Sequence, residues 1–292
     1  MRYTIKNDEL TVVIDSLGAE MISAVGADGF EYMWQNESGE FWKSHAPILF
    51  PHCGRILNSE YTYGGKRYEM GIHGFARGME FELVSVSDVR VVLSLKSSEE
   101  TKKIYPFDFE LIADYAVDGT ELCANFTVKN TGDEVLPYML GWHPGFNLEC
   151  KNGETAEDFC IDFGNINECI RHPQQNGAFI APTGTPYALP GGRYQLCEEE
   201  IASEGTMIFV GTGNTATLCT PDSKHSLVLS YSKNLPYFLI WKWPSAEAKY
   251  VCLEPWSDIP GPGDEPEVFE TKKMSRMNPG SAENYQFKIK FS

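Results

Sequence analysis

Long apolar runs, basic charge, paired cysteine motifs and helical periodicity are all scarce in this chain, and each absence excludes a class of protein. No stretch approaches membrane-spanning length, and the opening residues Met1-Arg2-Tyr3-Thr4-Ile5-Lys6-Asn7 hold no apolar segment of the signal-peptide kind. A cytoplasmic protein without a membrane partner is expected. Lys and Arg total 24 against 41 Asp and Glu, a formal net charge of −17. Such a surface repels phosphate backbones and anionic headgroups, so nucleic acid is not an expected partner. The eight cysteines are scattered without CxxC spacing, which predicts free thiols rather than disulfides or a zinc site. His45 and His52 lack helical i, i+4 spacing, and no HxH pair occurs, so no metal is expected.

What the chain does have is alternation. Hydrophobic residues make up 42% of its 292 positions, enough for a sizeable core. Phe109, Leu111, Ala113, Tyr115 and Val117 fall on one face of an extended segment. After Asp118-Gly119, Leu122, Ala124, Phe126 and Val128 do the same, which predicts a hairpin. Further strands are expected over 9–15, 81–95, 207–210, 216–220, 226–231 and 237–241. One short helical turn is expected within 36–43, capped by Asn36 or Ser38. Long loops are expected over 151–192, where strand signals thin out. With no repeat and no linker, the pattern predicts an all-β fold, a large antiparallel β-sandwich forming one domain over 1–292.

Four strings stand apart from this background. They are Phe50-Pro51-His52-Cys53-Gly54-Arg55, His73-Gly74-Phe75-Ala76-Arg77, Gly141-Trp142-His143-Pro144-Gly145-Phe146 and Leu253-Glu254-Pro255-Trp256. Each sets a polar side chain among Gly, Pro and aromatic residues, the setting of rigid edges and functional loops. Pro255 pushes Glu254 toward extended geometry and predicts a strand that stops at the carboxylate, beside an indole wall. Desolvation there raises a carboxyl pKa toward values useful for general base catalysis.

In this order the strings resemble the aldose 1-epimerase (galactose mutarotase) superfamily, most closely its LacX-like branch, and the resemblance runs over residues 3–291. It implies a galactose mutarotase-like supersandwich that interconverts the α and β anomers of a hexose or related aldose by acid–base ring opening. It implies no cofactor, and a small-molecule sugar as partner of a monomer or homodimer. By the same resemblance Glu254 matches the general base and His143 the general acid. His73 matches a second histidine on a sugar hydroxyl or ring oxygen, and Arg55 an arginine donating to hydroxyls. Trp256 and Trp241 would supply an apolar face. Arg77 ends a string shared with hexose 6-phosphate mutarotases, which adds a phosphorylated sugar to the alternatives, beside a carbohydrate-binding protein without turnover. Two departures matter. The family's substrate-gripping Asp has no counterpart, only Glu204 in the corresponding stretch, and Trp142 replaces a smaller residue and is expected to narrow the pocket. His45, His52, His172 and His225 read as structural or exposed.

Overall fold

In the computed structural model, which describes residues 1–150, 154–175, 177–219 and 225–292, the expected hairpin is the spine of the larger sheet. Phe109–Asp118 pairs with Glu121–Asn130 in unbroken register from Asp118↔Glu121 to Phe109↔Asn130. Gly119 and Thr120 make the two-residue loop, with Gly119 at φ 54°, a conformation that glycine adopts freely. Alternation places Leu111, Ala113, Tyr115, Ala124 and Phe126 fully in the core. Seven more strands extend this sheet to nine, including Leu227–Tyr231, Thr215–Cys219 and Cys160–Asp162 on one side and Arg90–Lys96 and Glu82–Val86 on the other.

The second large sheet has eight strands, with Met207–Val210, Tyr237–Trp241 and Tyr250–Trp256 at its centre. Pairing in both is antiparallel, and their inner faces interlock through large aromatics. Phe126 and Phe287 of the first sheet meet Trp142 of the second at ring-centroid distances of 5.7 and 5.1 Å. Tyr231 and Phe238 stack across the same interface at 5.6 Å. Burying one such side chain stabilises the fold by roughly 1.5–3 kcal/mol, so this seam is the dominant driving force. The all-β antiparallel sandwich is therefore observed.

Several local expectations need correction. Residues 81–95 form a hairpin, Glu82–Val86 with Arg90–Lys96, rather than one strand; Ser87 donates to the Arg90 carbonyl and closes the turn. No helix forms within 36–43. Asn36 adopts φ 45° and its Oδ1 accepts the Phe41 N–H, while Ser38 Oγ accepts from Glu40. These local side-chain bonds compete with helix formation. Helices form instead at Glu99–Ile104, nucleated by a Ser98/Thr101 capping box, and at Glu198–Glu204, stopped by Gly205 at φ 77°. The stretch 151–192 holds short strands such as Glu168–Arg171 and Thr185–Ala188 rather than loops alone. Its residues 151–153 and 176, like Thr220 of an expected strand, lie outside the described residues. The chain also does not leave its strand at Glu254: Tyr250–Trp256 runs on through Pro255.

Gly74 shows how tightly the second string is held against the first. At φ +71° its missing Cβ would stand 2.2 Å from the Phe50 carbonyl oxygen, whereas Gly64, at φ +58°, has nothing within 4 Å of the same position. Gly74→Ala is expected to destabilise by about 2–4 kcal/mol, backbone strain and overlap together, against about 1–2 kcal/mol for Gly64→Ala from conformation alone. Urea unfolding of both variants checks this; equal losses would show that the close approach does not constrain Gly74.

Candidate active site

The site grows from a gap in the eight-stranded sheet. Alternation along Tyr250–Trp256 sends Cys252, Glu254 and Trp256 to one face. On one side Glu254 pairs with Leu239 and Cys252 with Trp241. On the other, the neighbouring segment breaks between Gly141–Trp142 and Gly145–Asn147, which leaves His143 and Pro144 out of the ladder. Leu253 donates to Pro144 O and Ser257 to Leu140 O. Pro255, between them, lacks an N–H at the gap, where the ladder asks for no donor. Gly141 is required here because a Cβ would come within 2.6 Å of Trp256 Cδ1.

This gap brings His143 Nε2 to 3.2 Å from Glu254 Oε2, with the side chains only 9% and 1% exposed. Trp42 stacks on the His143 ring at 4.8 Å, while Trp241 and His73 meet it edge-on at 5.6 Å each. Burial among these rings pushes the Glu254 carboxyl well above the usual range. Burial also pushes the His143 imidazole down to about 3, helped by the positive charge of Arg77. Both shifts favour uncharged forms. Glu254 Oε1, His143 Nδ1 and Trp256 Nε1 are buried with no hydrogen-bond partner among the described residues.

His73 arrives from the opposite wall in a left-handed backbone conformation, φ 65°, which is uncommon outside glycine and concentrates at functional sites. Its N–H donates to Gly54 O at 2.9 Å, and Gly54 N–H donates back to His73 Nδ1 at 3.1 Å. An amide nitrogen can only donate, so Nδ1 is the acceptor and Nε2 carries the proton. Burial, with His143 and Arg77 close by, holds the ring well below its ordinary pKa. His73 is thereby fixed as a neutral hydrogen-bond donor.

All seven residues singled out from the sequence, Arg55, His73, Arg77, His143, Trp241, Glu254 and Trp256, line one cavity of about 370 Å³. Two expectations fail. Trp142 is fully buried between the sheets and its indole donates to Ala46 O, so it does not narrow the cavity. Glu204 pairs with Arg171 at 3.3 Å and is not among the lining residues. Gln174, Thr206, Trp42 and Trp243 line the wall instead. Of these, only Trp42 and Trp243 carried a legible signal, an indole beside turn residues or proline. His143, Cys252 and Glu254 offer one donor atom each within 4.8 Å of one another, but burial and Glu254 push the Cys252 thiol well up. A cation would have to displace that thiol proton. His225 sits between Glu149 and Asp28, stacked on Phe30 at 3.8 Å, and is structural.

The two shifts oppose each other in stability. His143 takes a proton more readily when unfolded, so its contribution is lost as pH falls from 6.5 toward about 3. Glu254 keeps its proton when folded, so its contribution is present below 4.5 and is lost as pH rises through its raised folded value. Glu254→Gln cannot ionise. Its Tm advantage over the wild type is therefore expected to widen from about pH 6 to about pH 9. A difference that does not change with pH in thermal melts would mean that burial does not hold the proton on Glu254.

Comparison with known proteins agrees with this fold. The aldose 1-epimerase family model matches residues 1–261. The chromosomal LacX protein of Lactococcus lactis subsp. lactis is 29% identical over 280 residues, 93% of each chain. A galactose mutarotase related enzyme from Lactobacillus acidophilus superposes with a TM-score of 0.91 at 34% identity, over 100% of this chain and 97% of its own. A galactose mutarotase-like protein from Lactobacillus casei gives a TM-score of 0.91 at 29% identity, over the whole of both chains. With a buried imidazole–carboxylate pair on this sandwich and the family model spanning most of its length, the chain belongs to the aldose 1-epimerase family.

Proposed function

We propose that the cavity binds an aldopyranose and interconverts its anomers with Glu254 and His143 as the acid–base pair. The observation that carries this is their 3.2 Å separation. Mutarotation moves protons at two oxygens bonded to one carbon, the C1 hydroxyl and the ring oxygen, so the two groups must stand side by side. Glycoside hydrolysis uses paired carboxyl groups about 5–5.5 Å apart for retention or roughly 6.5–9.5 Å for inversion. The pair here fits neither spacing.

The steps follow from the pair's single proton. Glu254 removes the C1 hydroxyl proton while His143 protonates the ring oxygen. The C1–O5 bond breaks as the C1 carbonyl forms. Rotation about C1–C2 presents the other carbonyl face, and the C5 hydroxyl adds to it, returning one proton to His143 as Glu254 gives one back. Burial favours the uncharged tautomer at rest, carboxylic acid beside imidazole. Either tautomer holds one acid and one base, so the pair is competent for both directions over the whole pH interval in which it keeps one proton. His73 Nε2–H and Arg55 donate to sugar oxygens, Trp241 and Trp256 give the ring an apolar face, and Gln174 with Thr206 takes the hydroxyl-gripping place left by the absent aspartate.

Glu254→Gln and His143→Ala are each expected to lower kcat by about a hundredfold or more, the usual scale of a general acid–base group. Polarimetry or proton NMR on freshly dissolved α-anomers measures it. Wild-type turnover in either variant would remove that residue from the mechanism. Gln174→Ala is expected to raise KM with little change in kcat, the signature of lost uniform binding. A fall in kcat with KM unchanged would place Gln174 in the chemistry instead.

A second reading, a hexose 6-phosphate, is favoured by one observation. Arg55 and Arg77 line the cavity, and among the described residues neither shows a side-chain hydrogen bond or ion pair, the Glu20 carboxylate acting on Arg77 from farther off. If phosphate is read there, Arg77→Ala loses kcat/KM on the phosphorylated sugar and leaves the free sugar unchanged. Equal losses on both would assign the arginine to hydroxyls.

A further inference from the structure

Away from the cavity, the outer face of the nine-stranded sheet carries a second reactive arrangement. Cys160 and Cys219 stand directly opposite each other on antiparallel neighbours, in the register Cys160↔Cys219, Ile161↔Leu218, Asp162↔Thr217. Ile161 and Leu218 point into the core. Alternation therefore puts both cysteines on the outward face, where both are half-buried. Directly opposed residues of an antiparallel pair have Cα atoms about 4.5–5.5 Å apart, inside the roughly 4.4–6.8 Å that a disulfide spans. The Cys219 thiol donates to the Thr217 carbonyl on its own strand at 3.7 Å, and the two thiols act on each other's acidity across the pair. Arg193, paired with Asp162 at 3.1 Å on the neighbouring strand, places its guanidinium beside both.

We propose that Cys160 and Cys219 form a peroxide-reactive dithiol in which Cys160 is the attacking sulfur and Cys219 the resolving one. The Cys160 thiolate attacks the O–O bond of a peroxide, taking one oxygen as sulfenic acid while the other leaves as water. The Cys219 thiol then displaces that hydroxyl as a second water and closes the S–S bond. Two thiols and one hydrogen peroxide give one disulfide and two waters, with each sulfur losing one electron and each peroxide oxygen gaining one. The order of the sulfurs follows from their surroundings. Cys219 holds its proton on the Thr217 carbonyl and so stays a thiol, while the neighbouring Cys219 and the charge of Arg193 lower the Cys160 thiol to about 7.

Five of the six other cysteines compete poorly. Cys53 and Cys252 are fully buried, and burial pushes both thiols well up. Cys169 is buried and pushed up to about 12. Cys123 and Cys150 are half-buried with thiols raised by burial. The chain also connects this pair to the cavity. The strand that holds Cys160 pairs on its other edge with Arg193–Gln195, which leads through Glu198–Glu204 to Gly205 and Thr206 of the cavity wall.

The test uses the full chain, limiting hydrogen peroxide, alkylation of the thiols left over, and peptide mapping by mass spectrometry. The expected product is a Cys160–Cys219 cross-linked peptide with six of the eight thiols still alkylated, eight less the two joined. Cys219→Ser is expected to stop at a Cys160 sulfenic acid that dimedone traps, and Cys160→Ser to lose the fast phase of peroxide consumption. Oxidation that starts at another cysteine, or Cys160 passing to sulfinic acid while Cys219 is still alkylated, would overturn the proposal. So would Cys160→Ser reacting at the wild-type rate. None of these readouts depends on sugar turnover, so they stand apart from the acid–base reading of the cavity.

Discussion

Everything around the cavity follows from the burial of a carboxylate and an imidazole within hydrogen-bonding distance of each other. Two such groups cannot be packed into a continuous sheet, because their neighbours would fill the space that a ligand must enter. The fold meets this by interrupting one strand at His143-Pro144 while its partner runs on. Pro255 removes the amide that would otherwise face the interruption, and Gly141 removes the Cβ that would push Trp256 aside. Gly145 does the same for Trp42, whose Cζ3 lies 2.8 Å from where its Cβ would be. Gly141, Gly145 and Pro255, three of the residues that made these strings conspicuous, are thus explained by what the gap needs, and all three lie in strands.

The electrostatics of the cavity run opposite to those of the whole chain. A surface with a formal charge of −17 surrounds a pocket lined by Arg55 and Arg77, whose acid–base pair is driven toward neutrality by its indole walls. For a neutral pyranose this is suitable ground. A sugar brings hydroxyls that donate and accept, and Glu254 Oε1, His143 Nδ1 and Trp256 Nε1 are buried polar atoms still needing such partners.

The sequence was most legible where one rule acted alone. Period-two alternation located the 109–130 hairpin, since it has one buried face and one more exposed face. It misread 81–95, because a turn at Ser87-Asp88 without glycine leaves the alternation almost unbroken. Asn36 and Ser38 looked like helix caps, but the same side chains satisfy a turn equally well, and no apolar period followed to decide between them. Trp142 was misplaced for a related reason. A residue next to His143 in sequence points to the opposite face of the sheet, so its bulk enters the core and not the cavity. Gln174 and Thr206 could not have been found from sequence, because ordinary polar residues become site residues only when the 168–210 strands fold against the 250–256 strand. Glu204 shows the converse: a carboxylate in the expected stretch, turned away to meet Arg171.

The two histidines can be told apart on structural grounds alone. His73 receives a backbone N–H on Nδ1, and a proton added there would break the Gly54 bond and bring two donors together. Protonating it costs a hydrogen bond in a site that already disfavours charge. His143 has no such tether. Its Nδ1 has no partner among the described residues and its Nε2 faces Glu254, so gaining a proton creates an ion pair with the adjacent carboxylate. Of the two rings, then, His143 is built to change protonation state during a reaction, and His73 to hold one tautomer and present the same Nε2–H throughout. The left-handed backbone at His73 belongs to that role, because it turns the ring back onto the Gly54 amide that fixes the tautomer.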